Sequence, residues 1–220
     1  MTELVLSDGA KTVVRKLTEK GYKAYAVGGC VRDLLRGRTP DDYDIATSAF
    51  PENVAEVFSA YDVIPTGLKH GTVTVVIDKI PYEITTFRKD GNYPDGRRPE
   101  KVEFVDDLKE DLSRRDFTVN AMAYNDDEGL IDPFGGEQDL KNKILRCVGD
   151  PEKRFTEDAL RILRAARFCS TLSLTAEEET ARKAIKLAYK LKNVSAERIF
   201  TEINKLLLGE NVVGALLKFR

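Results

Sequence analysis

Apolar and polar positions change pattern along this chain, with strand-like and helical stretches mixed in its first two thirds and helical spacing alone in its last third. Ser7 or Asp8 suits the N-cap of a first helix running to about Lys20, where Gly21 is a natural stop. Residues 23–27 predict a strand, Gly28-Gly29 a turn, residues 30–36 a short helix and residues 42–46 a second strand. Pro51 opens a helix through about Phe58. Residues 72–77 and 82–87 are rich in β-branched and aromatic side chains and predict strands joined by a hairpin turn at Asp78-Lys79. Residues 89–100 are dense in turn formers and predict a mobile loop, after which residues 101–105 return to the sheet and helical patterns dominate. From Phe155 onward the pattern predicts successive helices at about 155–171, 176–191 and 195–208. The shift near Gly149-Asp150-Pro151 sets a domain boundary, with strands and helices in 1–148 and helices alone in 149–220, an α+β chain.

Composition narrows the function classes. At 220 residues and 42% apolar the chain can build a real core, and no apolar run approaches the ~20 residues that span a bilayer. The N-terminus has neither a basic start nor a long apolar stretch, so no signal peptide is expected. Cys30, Cys147 and Cys169 are odd in number and lack metal-type spacing, which suits a reduced, cytoplasmic setting. His70 is the single histidine, which argues against a His-based zinc site or a Ser-His-Asp triad. The formal net charge of −2 hides an asymmetry: residues 153–220 carry 14 Lys+Arg against 8 Asp+Glu, while residues 1–152 carry 21 against 29. An acidic first part followed by a basic part suits a metal site beside a surface for a polyanion, although basic helices are also often merely well solvated.

The candidate chemistry starts at Asp42 and Asp44. Positions two apart in a strand face the same way, and two converging carboxylates repel unless a cation holds them. Hard oxygen donors of this kind suit Mg²⁺. Gly28 and Gly29, lacking side chains, let backbone N–H groups approach an anion closely. Together they point to metal-assisted chemistry on a phosphate, and specifically to nucleotidyl transfer. Glu83, on a strand expected beside that of Asp42, is the candidate third carboxylate, completing the coordination and activating a hydroxyl. The alternative for it is an exposed edge-strand glutamate. Arg115 can clamp a triphosphate, since a guanidinium matches phosphate oxygens in pairs, and Asn120 can reach a ribose hydroxyl. A local salt bridge between Arg115 and Asp116 is the alternative.

Further along, Arg161, Arg164 and Arg167 share one side of a helix, opposite Ile162, Leu163 and Ala166. Asp158 precedes Arg161 by three residues, which predicts a fixed pair presenting one acceptor and one donor. Cytosine and adenine offer an amino donor beside a ring-nitrogen acceptor and match that pair in the same sense. Uracil and guanine present the reverse. Such a pair selects C and A without a nucleic-acid template; the alternative is an amphipathic helix with ordinary ion pairs from Glu157 and Asp158 to Arg161.

Six ordered motifs carry a resemblance over almost the whole chain: Tyr25-Ala-Val-Gly-Gly-Cys-Val-Arg-Asp33, Asp42-Tyr-Asp-Ile-Ala-Thr47, His70-Gly-Thr72, Tyr82-Glu-Ile-Thr-Thr-Phe-Arg88, Arg114-Arg-Asp-Phe-Thr-Val-Asn-Ala121 and Arg154-Phe-Thr-Glu-Asp-Ala-Leu-Arg161. In these the chain resembles the class II tRNA nucleotidyltransferases, the bacterial CCA-adding enzymes and their poly(A) polymerase relatives. The resemblance implies a polymerase-β-like head, a mixed sheet with flanking helices, followed by an all-helical neck. It implies that Asp42 and Asp44 bind Mg²⁺ with Glu83 as third carboxylate, and that Gly29, Arg32 and Arg115 contact the phosphates or sugar of the nucleotide. It also implies that Asp158 and Arg161 read the incoming base, with Arg164 and Arg167 lining the same site. The implied activity is addition of C, C and A to tRNA 3′ ends from CTP and ATP, with no membrane partner. The alternatives are an A-adding or poly(A) polymerase of the same family and a non-catalytic RNA- or nucleotide-binding module. An intact segment from Asp90 to Glu100 implies that A addition is retained. Family members run well beyond this length, with helical body and tail regions that grip the tRNA, so this chain is expected to end within the neck or early body.

Overall fold

The computed structural model describes residues 4–91, 93 and 101–220. The chain forms two compact units, the first made of Met1–Asp90, Val102–Arg115 and Asn120–Phe134, the second of Gly91–Lys101, Asp116–Val119 and Gly135–Arg220. Each has its own apolar core.

In the first unit, helix α1 (Asp8–Glu19) is capped by Ser7, whose side chain accepts from the Ala10 N–H at 3.2 Å. It buries Ala10, Val13, Val14 and Leu17 along one face, and Gly21, at φ +85°, turns the chain after it. Then follow β1 (Ala24–Val27), α2 (Gly29–Leu35), β2 (Asp44–Thr47), α3 (Pro51–Val57), β3 (Asp62–Gly67), β4 (Thr72–Ile77) and β5 (Ile80–Thr86). Next come β6 (Arg88–Asp90), β7 (Val102–Phe104), α4 (Leu108–Ser113), β8 (Ala123–Asn125) and β9 (Gly129–Ile131). Seven strands form one mixed sheet in the order β3-β4-β5-β2-β1-β8-β9. Neighbours in it run antiparallel except β2 and β5, which are parallel. The β4–β5 hairpin turns at Asp78 and Lys79 with φ of 50° and 66°, the left-handed pair that a tight two-residue turn requires.

Three expectations for this unit need correction. The strand expected from Asp42 starts at Asp44, so Asp42 lies in the segment leading into it. Residues 101–105 do not return to the main sheet: β7 pairs with β6 in a separate two-stranded sheet. The reason is that β5 already has β4 on one side and β2 on the other, leaving no open backbone edge beside it. Nor do helical patterns dominate after it, since β8 and β9 extend the sheet. The loop expected over residues 89–100 lies for the most part outside the described residues.

The second unit holds α5 (Gly136–Lys141), β10 (Ile144–Leu145), α6 (Pro151–Glu157), α7 (Leu160–Thr171), β11 (Thr175–Ala176), α8 (Glu178–Leu187), α9 (Ala196–Leu207) and α10 (Val212–Lys218). It is not purely helical, because β10 and β11 pair in parallel. Phe117, Leu145, Phe155, Ile162 and Phe168 meet in its core, and full burial of each contributes about 1.5–3 kcal/mol. Residue 149 falls inside this unit, since Leu145 and Cys147 pack on the same core as the helices. The helix expected over 155–171 is broken at Asp158, whose extended backbone (φ −145°, ψ 108°) ends α6 before α7 begins.

Candidate active site

The parallel pairing of β2 with β5 sets Asp44 directly beside Glu83. Register partners in adjacent strands point to the same face, so the two carboxylates project together, both exposed, while Ile45 and Ile84 beside them are buried on the opposite face. Asp42, also exposed, lies two residues ahead of Asp44. Although the Asp44 side chain is open to solvent, crowding protein partly desolvates it and pushes its carboxyl above the ordinary aspartate range. The Arg115 guanidinium pulls it back down, and the negative charges of Asp42 and Glu83 push it up further. Among the described residues no group of three or more His, Cys, Asp or Glu side chains is placed to hold a metal ion by itself. An ion held by one or two carboxylates together with substrate phosphates and water, as Mg²⁺ commonly is, needs no such group.

A second cluster of the first unit gathers at Gly28. Its φ of +77° belongs to the region glycine favours, and a Cβ there would stand 2.6 Å from Arg115 Nη1, so the missing side chain is the space that the guanidinium occupies. Arg32 donates from Nη1 to Asn120 Oδ1 at 2.6 Å and from Nε and Nη2 to Asp33 at 3.0 and 2.8 Å. Arg115 Nη1 lies 3.5 Å from the Asn120 carbonyl oxygen. Gly28, Arg32, Arg115 and Asn120 are thus drawn together, with Gly29 opening α2 next to them. Asn120 uses its side-chain oxygen on Arg32. Cys30 is buried here, and that burial pushes its thiol up to about 12.

In the second unit, Asp158, Arg161, Arg164 and Arg167 sit at and beyond the break between α6 and α7. The expected side-chain pair of Asp158 with Arg161 is not formed. Because the helix breaks at Asp158, the i, i+3 geometry of a continuous helix is lost. Asp158 instead caps α7, accepting from the Leu160 N–H at 3.0 Å, and pairs with Arg198 at 2.6 Å. Arg161 donates to Glu157 Oε2 at 2.7 Å and to the Arg154 carbonyl oxygen at 3.2 Å. Arg164 donates to Asp116 Oδ2 from Nε at 2.8 Å and from Nη2 at 2.7 Å, and the Asp116 carboxylate holds its guanidinium more firmly charged. Arg167 pairs with Glu202 at 2.9 Å and lies over the Phe168 ring at 4.1 Å.

Three of these partners escaped sequence reasoning. Asp116 was visible only as a neighbour of Arg115, and its pairing with Arg164 spans 48 positions. Arg198 and Glu202 had a signal that went unused: they stand four apart, on one face of α9.

The fold and these clusters define a polymerase-type head accompanied by a helical unit. Residues 24–146 match the family described as "Poly A polymerase head domain", and residues 173–219 match "Probable RNA and SrmB- binding site of polymerase A". The chain belongs to the class II tRNA nucleotidyltransferase and poly(A) polymerase family. It is 52% identical over 210 residues to a CCA-adding enzyme of Lactobacillus delbrueckii subsp. bulgaricus, covering 96% of this chain and 52% of that protein. The crystal structure of Bacillus stearothermophilus CCA-adding enzyme in complex with CTP superposes with a TM-score of 0.86 at 45% identity, covering 95% of this chain and 50% of that one. A Thermotoga maritima CCA-adding enzyme complexed with tRNA gives a TM-score of 0.80 at 28% identity, over 98% of this chain and 51% of that one. The chain spans about half the length of the curated relatives it matches. No helix among the described residues is long and apolar enough to cross a membrane.

Proposed function

We propose that this chain carries the Mg²⁺-dependent, template-independent addition of C, C and A to tRNA 3′ ends from CTP and ATP, acting in the cytoplasm. The register of Asp44 beside Glu83, with Asp42 two residues ahead, carries the reading. Asp42 and Asp44 are the proposed Mg²⁺ ligands and Glu83 the third carboxylate. Bound there, the ion supplies charge neutralisation for the triphosphate and lowers the pKa of a hydroxyl. The tRNA 3′ hydroxyl gives up its proton to Glu83 or to solvent as its oxygen attacks the α-phosphorus in line; the new P–O bond forms as the bond to the bridging oxygen breaks, and pyrophosphate leaves. Arg32 and Arg115 hold phosphate oxygens or the sugar, with the Gly28-Gly29 backbone close by, and Asn120, the residue proposed to reach the ribose, orients Arg32. Base choice is assigned to Asp158 as acceptor and Arg161 as donor, with Arg164 and Arg167 lining the same site. Arg198 and Glu157, rather than each other, hold the first two in place.

Incubation with Mg²⁺, CTP, ATP and tRNA lacking its last three nucleotides, resolved to single nucleotides, tests this. Three additions ending at A support it; no addition despite Mg²⁺-dependent CTP binding favours a nucleotide-binding module. The family description also names poly(A) polymerase, and ATP alone with tRNA ending in CC separates the two, one A against a tail.

Two further outcomes are expected. Gly28→Ala forces a Cβ onto Arg115 Nη1 and strains a positive φ, so CTP affinity should fall by about tenfold, the loss of one charge-assisted contact, as read by calorimetry. Because the Asp44 carboxyl lies above the usual range, its proton competes with the cation at higher pH than at an ordinary aspartate. Mn²⁺ binding followed by electron paramagnetic resonance should therefore weaken as pH falls, beginning above the ordinary value of 3.8, and Arg115→Gln should move that onset higher still.

A further inference from the structure

We propose that Asp111 is a positioning residue that fixes Arg115 for the phosphates of the nucleotide, an inference that rests on the functional reading above. Asp111 lies on α4 and is 1% exposed. Its two oxygens have different work. Oδ1 takes three donors, the Arg88 N–H at 3.2 Å and Arg114 Nε and Nη2 at 3.0 and 2.9 Å. Arg88 and Arg114 also pair with Asp90, at 3.2 and 3.9 Å, so this oxygen is committed to the β6 scaffold. Oδ2 accepts no hydrogen bond among the described residues and faces Arg115 Nη2 at 3.9 Å.

A carboxylate oxygen buried without a hydrogen bond is costly, and an ion pair taken out of water acts more strongly at a given distance than an exposed one. The geometry ties the cost to Arg115. That guanidinium's Nη1 sits in the space left by Gly28, at the long end of hydrogen-bond range from the Asn120 carbonyl. A long side chain that is already placed loses less freedom when an anion arrives. Asp111 lies in the last turn of α4 and Arg115 just past its C-cap, Arg114, so the end of the helix brings the carboxylate to the arginine. Asp111 touches no proposed substrate atom and acts through Arg115.

A double-mutant cycle on the full chain tests this, with CTP and Mg²⁺ as the probe and the dissociation constant as readout. Asp111→Asn should weaken CTP binding by about tenfold in the otherwise unchanged chain and cause no further loss in an Arg115→Gln background. Additive losses, or unchanged affinity in Asp111→Asn, would overturn the proposal while leaving the functional reading intact. An unsubstituted chain that binds no CTP overturns both. If circular dichroism shows Asp111→Asn unfolded, Asp111→Ser, whose hydroxyl can still accept from the Arg88 N–H without overpacking, enters the same cycle. A chain that folds with neither substitution makes Asp111 a residue of the fold alone and also overturns the proposal.

Discussion

Replacing Asp44 with alanine should lower nucleotide addition by about a thousandfold or more and leave the melting temperature unchanged or slightly raised. The activity loss follows from charge stabilisation by a bound divalent cation, worth several kcal/mol at ~1.4 kcal/mol per decade of rate. The stability outcome follows from the same three carboxylates seen without a cation. Asp44 is exposed, and desolvation together with the charges of Asp42 and Glu83 outweighs the pull of Arg115, so its charged form is disfavoured. Removing it relieves repulsion and creates no cavity, so the folded state should not suffer. A thermal melt without added metal, set beside a primer-extension assay, reads both. A large drop in melting temperature would mean that Asp44 serves the fold, and retained turnover would remove it from the chemistry.

The second large effect concerns base choice. Asp158→Ala combined with Arg161→Ala should reduce the preference for CTP over UTP by roughly 5- to 150-fold, the range set by ~1–3 kcal/mol of discrimination from a paired donor and acceptor. The structure complicates the naive version of this test. Asp158 also caps α7 and neutralises Arg198, so its loss costs about 1 kcal/mol as a cap and leaves a partly buried guanidinium without its carboxylate. The ratio of kcat/KM for CTP and UTP is the proper readout, since a smaller folded fraction lowers both equally. Asp158→Asn is the control, because its amide oxygen can still cap α7 while the negative charge is gone. An unchanged ratio in the double variant would refute the assignment of base reading to these residues.

What was legible in the sequence was local. The cap at Ser7, the stop at Gly21, the hairpin at Asp78-Lys79 and the two strands it joins follow from short-range rules, and the structure places them within a residue or two. The strand containing Glu83 was expected beside that of Asp42, and the register puts Glu83 opposite Asp44. What escaped was short, exposed or long-range. The edge strand β3 carries Pro65 and mostly exposed residues, so it lacks the alternation of a half-buried strand. β8 and β9 have three residues each, too few for a period to show. The pairing of Asp158 with Arg198 depends on how α7 packs against α9, and the expectation of a continuous helix hid the break that redirects Asp158.

The interleaved path of the chain has a consequence for its synthesis. Residues 116–119 belong to the second unit but lie between segments of the first, so no single peptide bond separates the two. Phe117 and Val119 are fully buried in the second core, and Phe117 meets the edge of Phe168 with ring centroids 5.7 Å apart. On the ribosome they emerge well ahead of Phe155 and Phe168. At ~5–20 residues per second, their side chains wait on the order of a few seconds before the helices that cover them exist. For that interval a nascent chain with a finished sheet still displays an uncovered apolar segment, the kind of surface to which chaperones bind.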